Sequence, residues 1–459
     1  MGTFLSSDRW RLPGVAVATV AIAVAACGGT SPASPAASAP GSAAASASAA
    51  AGSPSESANT AYSGPPATLE YSIWGDPAEI NNQKAIVKTF TDANPSITVN
   101  VTVSDWEPYW AKLQTGLAGG AAPDVFAMDG PLGPDYQTRD ALLDLTPYVQ
   151  AENYDLGQLD ANAVKDFTTA DGGQFGLPRD LNVIALYYNK KMFDEAGVPY
   201  PDGTWDWDKL VEVAHKLTKD TNGDGKPDQW GVYTETTDME NAWSSLVWQA
   251  GGDILAPDGT KTALDTDQAA QGLQFLQDLI WKEKVLPDPA LFAETGDPFE
   301  SGKAAMEING SWLVPTDEAA GLEFGIAPLP KGPVAQATSV NPTGAVIYKG
   351  TKSPDAAWAL VKYLASPEAQ EKIMALKASV PVNKEILSTT YASAFDGAQV
   401  FADALSYAHL KPSFKGYDDF ATTLQTELDE NVFNQPNKTA KEAIAAVNDQ
   451  LNQILADNQ

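Results

Sequence analysis

Residues 174–200 read QFGLPRDLNVIALYYNKKMFDEAGVPY, and this stretch guides the interpretation of the rest of the chain. It contains a turn signal, Gly176 to Pro178, followed by the run 183–188, whose β-branched and aromatic side chains favour a buried strand. The KKMFDEAG that follows has the apolar spacing of a short helix and a glycine placed to end it. The stretch therefore predicts a buried strand leading into a helix.

Two charged residues, Arg179 and Asp180, lie on the predicted turn that opens this strand. From composition alone, the simpler interpretation is a surface turn that carries a solvated ion pair. A role for the pair beside a ligand depends on the family resemblance described below.

The composition is that of a globular protein large enough for two or more cores. Of 459 residues, 44% are hydrophobic, and 59 acidic against 29 basic side chains leave a formal charge of -30. Such a surface repels nucleic acid, so we expect no nucleic-acid partner, and a neutral or weakly cationic ligand fits best. Because Cys27 is the one cysteine, intramolecular disulfides and thiolate metal clusters are excluded.

The N-terminus has the features of an export signal. Arginines precede the alanine-rich apolar run 15–26, which is too short to cross a bilayer as a helix. The run ends in VAAC, which resembles the bacterial lipobox, in which the cysteine is acylated and the chain is cut just before it. We therefore expect residues 1–26 to be a lipoprotein signal peptide and Cys27 to carry a lipid, such as palmitate, that anchors the protein to the membrane. A chance cysteine in a plain secretory signal is the alternative.

Residues 27–66 are mostly Ala, Ser, Pro and Gly, with few side chains large enough to pack. Such a segment cannot form a core, and we expect a disordered tether between the anchor and the folded body.

Strands alternate with helices from Leu69 onward. Residues 69–74, 97–103 and 123–130 read as strands, and helical patterns lie between them. This order predicts an α/β fold with a mostly parallel sheet, in which ligands bind beyond the carboxyl ends of the strands. The residues at such ends are Trp74, Asp76 and Asp129.

The sharpest local motif is DTNGDGKPD at 220–228, which matches the first nine positions of an EF-hand calcium loop. The predicted calcium ligands are the side chains of Asp220, Asn222, Asp224 and Asp228 and the carbonyl of Lys226. The twelfth position is Gly231 instead of Glu, so further oxygens would come from elsewhere or from water. A Gly/Asp-rich surface turn without metal is the alternative. A bound calcium ion is expected to be structural, because a filled oxygen shell leaves no position for substrate.

Several of the twelve tryptophans fall at predicted turns or strand ends. Flat indoles stack on pyranose rings, while carboxylates and amides hydrogen-bond their hydroxyls. Three tryptophans, Trp74, Trp243 and Trp312, are therefore candidate sugar-stacking residues, with core packing as the alternative. Trp106 reads as a helix-packing residue. No nucleophile elbow, phosphate loop or zinc spacing occurs, so no catalytic centre is predicted.

A set of motifs in fixed order resembles a known family. LAGGAAPDVFAMD, GLPRDLNVIALYYNKKMFDEAGVPYPDGTWDWDKL, GKAAMEINGSW and SPDAAWALVKYLASPEAQEKI are similar to the extracellular solute-binding proteins of ABC importers, in the sugar-binding group related to maltose-binding protein. The resemblance implies a type II periplasmic-binding-protein-like fold, in which two hinge-linked α/β lobes close over a ligand. It places lobe 1 at 67–181 and 345–395, and lobe 2 at 182–344 and 396–459.

The resemblance also implies a ligand site. Asp129 stands where the family places a hydroxyl-binding aspartate, and Trp312 stands where it places a stacking aromatic residue. Other positions fall in the first loop, at the first crossing between the lobes, and at a helix start in lobe 2. The complete candidate set is Trp74, Asp76, Glu79, Asp129, Arg179, Asp180, Asn182, Asn241, Trp243 and Trp312.

The function implied is that of a lipid-anchored, monomeric, non-enzymatic protein outside the cytoplasm. It would capture a sugar, expected to be an oligosaccharide, and deliver it to an ABC transporter permease. A secreted calcium-dependent glycoside hydrolase would also show tryptophans, acids and a calcium loop, but it needs a carboxylate pair across one bond, which no motif identifies. A sensor component that presents its ligand to a receptor shares the fold and stays open.

Overall fold

The computed structural model describes residues 62–75, 77–291 and 296–458. The predicted signal peptide, Cys27, most of the predicted tether and Asp76 lie outside these residues. Within the described ranges, no helix combines the length and the apolar character that crossing a membrane requires.

The strands form one mixed, nine-stranded sheet in the described part of the chain. They are β1 (Ala67–Trp74), β2 (Ile97–Ser104), β3 (Val125–Asp129), β4 (Gly176–Asn189), β5 (Met306–Gly310), β6 (Phe324–Ala327), β7 (Thr338–Ile347), β8 (Val380–Pro381) and β9 (Ala408–Leu410). The main strand order is β2-β1-β3-β7-β4-β5, while β6 and β8 also pair with β4 and β9 pairs with β7.

The helices lie between these strands and at the C-terminus. They are α1 (Pro77–Ala93), α2 (Trp106–Ala118), α3 (Gly133–Thr138), α4 (Thr146–Glu152), α5 (Ala161–Asp166), α6 (Lys190–Ala196), α7 (Trp207–Leu217), α8 (Ser244–Gln249), α9 (Asp267–Trp281), α10 (Val314–Ala319), α11 (Pro354–Leu364), α12 (Pro367–Ala375), α13 (Lys384–Thr389), α14 (Ala398–Ala404), α15 (Tyr417–Leu428) and α16 (Ala440–Asp457). The two five-residue π-helical turns are Met239–Trp243 and Asp429–Phe433.

The sheet is mixed, so the prediction of a mostly parallel sheet was wrong. β1 pairs in parallel with β2 and β3, as the alternation of strands and helices predicts. However, β7 runs antiparallel to both β3 and β4, and β5 runs antiparallel to β4. β3 and β7 are far apart in the sequence, and a local hydrophobic pattern carries no information about the direction of so distant a partner.

The long strand β4 includes the segment predicted as a turn. It starts at Gly176, and its register with β7 shifts between Pro178 and Asp180, which marks a bulge. A proline is tolerated at such an irregularity because a residue beside a bulge can lack a ladder hydrogen bond. Arg179 and Asp180 are therefore buried within a strand, at 5% and 2% exposure, and the surface-turn interpretation was wrong.

Helix α6 follows β4 directly, as predicted. The Asn189 side chain caps it by accepting a hydrogen bond from the Met192 N–H at 3.1 Å. Gly197, at φ 65, ends it in the left-handed conformation that glycine adopts without strain. Met192 and Phe193 are buried on one face, so the helical spacing read from the sequence is confirmed.

Alternate residues of β4 pack into two different apolar cores. Ile184 and Leu186 join the core built with α7, α8, α9, α15 and α16. Val183 and Tyr187 join the core that contains β1, β3, α1 and α11. Phe401 of α14 packs into the second of these cores as well, so packing runs across the lobe boundaries predicted from the sequence. Those boundaries stay a prediction.

Candidate ligand-binding cavity

One cavity of about 400 Å³, here called the first cavity, brings together most of the predicted ligand-binding residues. The eight that line it are Trp74, Glu79, Asp129, Arg179, Asp180, Asn182, Asn241 and Trp312. Asp76 lies outside the described residues, and Trp243 lies elsewhere in the fold.

Strand geometry explains two of these positions. Trp74 is the last residue of β1 and Asp129 is the last residue of β3, and the two strands are parallel neighbours. Their carboxyl ends therefore meet at one edge of the sheet, where ligands of α/β proteins bind. β4 passes the same edge and contributes its central residues.

Indole rings form one wall of the first cavity. Trp74 and Trp106 meet edge to face, with ring centroids 4.9 Å apart and an interplanar angle of 84°. Trp110 packs behind them, 5.6 Å from Trp74. Trp106 is 43% exposed and lines the cavity, so its assignment as a helix-packing residue was wrong.

Trp312 supplies a further indole on a single 3-10 turn after β5. A Cβ added to Gly310 would lie 1.8 Å from Cζ3 of Trp312, so the ring lies directly against the backbone of residue 310. The Tyr187 hydroxyl donates a 2.7 Å hydrogen bond to the Gly310 carbonyl and holds that backbone in place. The NGSW motif therefore positions an aromatic side chain that only glycine leaves room for.

Trp243 is not a cavity residue, and the prediction for it was wrong. Its side chain is 0% exposed and belongs to the core that includes α8 and α9. The indole N–H donates to Oε1 of Gln425 at 3.3 Å. Asp238 caps the π-helical turn Met239–Trp243, and this turn directs Asn241 to the cavity while Trp243 enters the core.

Arg179 and Asp180 form a buried ion pair at the edge of the first cavity. Nε of Arg179 lies 2.7 Å from Oδ2 of Asp180, and Nη1 donates to the Tyr71 hydroxyl at 3.3 Å. The Thr343 hydroxyl donates to Oδ1 of Asp180 and ties β7 to β4. Although burial disfavours its charge, the Asp180 carboxylate raises the pKa of Arg179. Arg179 is therefore charged, and these contacts fix both side chains in position.

A second buried charge centre was not anticipated. The Lys411 ammonium lies 2.9 Å from Oε2 of Glu240 and 3.7 Å from Oδ2 of Asp129, and the Asn341 amide donates to the other Asp129 oxygen. Burial raises the pKa of Asp129, and it raises that of Glu240 to about 7, although Lys411 opposes both shifts. Burial disfavours the charge of Lys411, but these carboxylates raise its pKa well above the ordinary value.

Three acceptor atoms at the first cavity have no hydrogen-bond partner among the described residues. They are Oε1 of Glu240, Oδ1 of Asn241 and Oδ1 of Asn341, and each residue is at most 5% exposed. A buried acceptor without a partner costs about 1–3 kcal/mol, so a hydroxyl or ammonium donor that reached one of these atoms would gain that stabilisation.

A second cavity of about 530 Å³ adjoins the first. The residues that line both are Trp106, Asp129, Asp238 and Lys411. Beyond this boundary, the second cavity is lined from α2 by Trp110 and from α15 by Tyr417. The two cavities therefore lie on either side of these four residues.

The predicted calcium loop is an exposed, hydrogen-bonded turn. Asp220 accepts backbone N–H groups of Gly223 and Gly225 at 2.6 and 2.8 Å, and Asp228 accepts the N–H and hydroxyl of Thr221. In the described ranges, no group of three His, Cys, Asp or Glu side chains is arranged to hold a metal ion. A calcium ion would therefore also need the Asn222 amide and the Lys226 carbonyl, and its binding stays a prediction.

For one of the cavity residues that were not predicted, the sequence did contain a signal. Trp106 follows the end of β2 just as Trp74 ends β1, so the strand-end argument applied to it equally. Lys411 and Asn341 offered no such signal. Their positions depend on β9 and β7 reaching the cavity from far along the chain.

Comparison with known proteins identifies one family, and its match covers most of the chain. The family described as bacterial extracellular solute-binding protein matches residues 78–371. The maltotriose-binding protein of Pyrococcus abyssi is similar, with 27% identity over 342 residues that cover 72% of this chain and 70% of that protein.

Solved structures share the fold. An ABC substrate-binding protein of Listeria monocytogenes in complex with cycloalternan superposes with a TM-score of 0.77 at 27% identity, covering 84% of this chain and 98% of that one. Maltose-bound MalE3 of T. maritima superposes with a TM-score of 0.73 at 23% identity, covering 84% and 100%. The predicted two-lobe, hinge-linked α/β fold is thereby confirmed.

Proposed function

Because the chain belongs to the bacterial extracellular solute-binding protein family, we propose that it captures a sugar in the first cavity and delivers it to an ABC transporter permease. Membership of the family makes the chain a binding protein and not an enzyme, and it implies an extracytoplasmic location. The hydrolase alternative therefore receives no support.

The lining of the first cavity is the observation that carries the sugar proposal. Trp74, Trp106 and Trp312 present indoles, which pack against the apolar faces of pyranose rings. The unpartnered oxygens of Glu240 and Asn241 accept hydrogen bonds, and sugar hydroxyls supply the matching donors. A flat apolar face beside a rim of donors is what distinguishes a sugar from an aliphatic or anionic solute.

The size of the site favours an oligosaccharide. The first cavity alone lies within the ordinary range for small-molecule sites, and the second cavity continues from it. The relatives named above bind maltotriose and cycloalternan, which are both built of several rings. We expect one or two rings in the first cavity, with further rings crossing the boundary at Lys411.

Attachment to the membrane is proposed through Cys27. The support is the sequence VAAC after an apolar run, together with the tether-like composition of residues 27–66. A flexible tether would let the folded body reach a permease in the same membrane while it stays a monomer. We also propose that a structural calcium ion binds the 220–228 loop.

A thermal-shift screen against mono- and oligosaccharides tests the function. A ligand that binds only the folded state raises its stability by about 2.7 kcal/mol at a hundredfold excess over Kd. The sugar found in this way should lose its shift in Trp312→Ala and Asp129→Asn. Recovery of the sugar unchanged after incubation distinguishes binding from hydrolysis. If no saccharide shifts the melting temperature while another class of solute does, the sugar assignment is wrong.

A further inference from the structure

The walls of the two cavities carry a large excess of negative charge. Among the described residues, six carboxylate residues line the second cavity and seven line the first, with Asp129 and Asp238 shared. The cationic residues of the two linings are Arg139, Arg179 and Lys411. Two of these three cations already form buried ion pairs with carboxylates of the protein. A ligand in the cavities therefore enters a field that attracts positive charge.

The boundary between the two cavities carries groups suited to a cation. Trp106 and Asp238 line both cavities, and Trp106 is 43% exposed. Asp238 forms no ion pair with any lysine or arginine in the described ranges, whereas Asp129 beside it contacts Lys411. A partly exposed tryptophan and a carboxylate that forms no ion pair of its own are groups that bind organic ammonium ions.

A buried atom points to the same chemistry independently. Oε1 of Glu240 has no hydrogen-bond partner among the described residues, although the residue is only 5% exposed and lines the first cavity. Burial raises the pKa of Glu240 and of Glu235, and the nearby charge of Asp238 raises both further. A bound cation would satisfy the free oxygen and offset this repulsion.

We propose that the sugar taken by this site carries a protonated amine, which lies at the cavity boundary beside Trp106, Asp238 and Oε1 of Glu240. This inference rests on the proposed sugar-binding function and narrows it to amino sugars. N-acetylation would remove the charge, and a carboxylate on the sugar would be repelled, so N-acetylated and acidic sugars should be poor ligands.

Matched sugars test the proposal by calorimetry near neutral pH and low salt. Chitosan trisaccharide, its N-acetylated form and cellotriose share one backbone, while 6-amino-6-deoxymaltotriose and maltotriose form a second set. In at least one set the amine-bearing sugar should bind about tenfold more tightly than its neutral partners, with an advantage that shrinks as salt is added. Equal or tighter binding of the neutral sugars in both sets would overturn the proposal. If no saccharide of either kind binds here or in the broader screen, the proposed function itself fails.

A variant distinguishes recognition of the charge on the amine from recognition of the shape of the sugar. Asp238→Asn keeps the side-chain oxygen that caps the turn Met239–Trp243 but removes the charge. It should weaken binding of the amine-bearing sugar about tenfold more than binding of the neutral partner. Asp449→Asn removes the same charge from an exposed position on α16 and is the control. Equal losses for both sugars in Asp238→Asn would show a purely structural role and overturn the proposal.

Discussion

The ammonium nitrogen of Lys411 lies 2.9 Å from Oε2 of Glu240, although the two residues are far apart in the sequence. The contact joins the segment after β9 to the π-helical turn Met239–Trp243 at the boundary of the two cavities. It also places a cation beside two carboxylates whose burial would otherwise be costly. The Lys411–Glu240 pair therefore holds two distant segments together at the boundary of the cavities and balances part of the negative charge there.

Removing this cation should destabilise the fold. Lys411→Met leaves Asp129 and Glu240 buried without their counter-ion, and we expect a loss of about 3 kcal/mol in the free energy of unfolding by urea titration. The loss should be larger at pH 8 than at pH 5. Without the lysine the folded-state pKa values of both carboxyl groups rise further, and such groups lose stability as the pH increases.

The matched control is Lys441→Met, which breaks an exposed ion pair with Asp267 and should leave the free energy of unfolding almost unchanged. Similar stabilities for the parent and Lys411→Met at both pH values would show that the buried pair contributes no net stabilisation.

The two tryptophans Trp312 and Trp243 should respond differently to truncation. Trp312→Ala removes a cavity-lining ring, so we expect sugar affinity to fall at least about thirtyfold, with little change in the melting temperature. Trp243→Ala removes a fully buried ring, so we expect a loss of about 3–5 kcal/mol in stability. Calorimetry and urea titration of both variants measure the contrast. Parent-like affinity in Trp312→Ala would place the stacking surface elsewhere.

Asp317 should make stability depend on pH. Burial raises the pKa of this carboxyl group to about 7, whereas in an unfolded chain it is near 4. A group with a raised folded-state pKa stabilises the fold below its unfolded pKa, and this contribution is lost as the pH rises through 7. Between pH 5 and pH 8 the group should cost about 3 kcal/mol of stability.

The variant Asp317→Asn isolates this effect. It should be more stable than the parent at pH 8 and should lose part of the pH dependence, as followed by urea unfolding at several pH values. Identical pH profiles for variant and parent would mean that the carboxyl group is ionised in the folded protein throughout.

Calcium bound to the 220–228 loop should raise the melting temperature without changing the affinity for sugar. Adding a chelator should lower the melting temperature, and Asp224→Ala should abolish the difference between chelated and calcium-loaded protein. Sugar affinity should not change, because none of the five predicted ligands lines either cavity. A melting temperature indifferent to chelator would favour the metal-free turn.

Cys27 is expected to hold the protein at the membrane. Cys27→Ala should release the folded body from the membrane fraction, and Cys27→Ser should behave in the same way because only the thiol can be acylated in this manner. Blotting of membrane and soluble fractions measures the shift. Retention of both variants at the membrane as firmly as the parent would rule out the lipid anchor.

Local patterns in the sequence predicted the strands β1, β2 and β3, the centre of β4, and the helix α6, because apolar spacing and end signals are properties of neighbouring residues. The Gly197 end of α6 is an example. The same patterns could not give the antiparallel course of β7, because strand direction is decided by partners far along the chain.

The same contrast between local patterns and distant partners applies to the predicted site. Trp74 and Asp129 followed from their positions at strand ends, whereas Lys411 reaches the cavity only through the pairing of β9 with β7. Trp243 was misplaced because a π-helical turn shifts the phase of the helix by one residue, and an ordinary helical spacing does not anticipate this. Burial of the Arg179–Asp180 pair likewise required the bulge in β4.

The close approach of Trp312 to Gly310 also limits how this site can change during evolution. Any side chain at position 310 would overlap the indole where it now lies, so a substitution there displaces the ring or requires a smaller residue at position 312. A new sugar preference that needs a bulkier residue at 310 would therefore be gained at the expense of the present stacking surface. While the glycine is kept, the indole can be replaced without any change at 310, whereas a tryptophan beside a bulkier residue could not occupy this position.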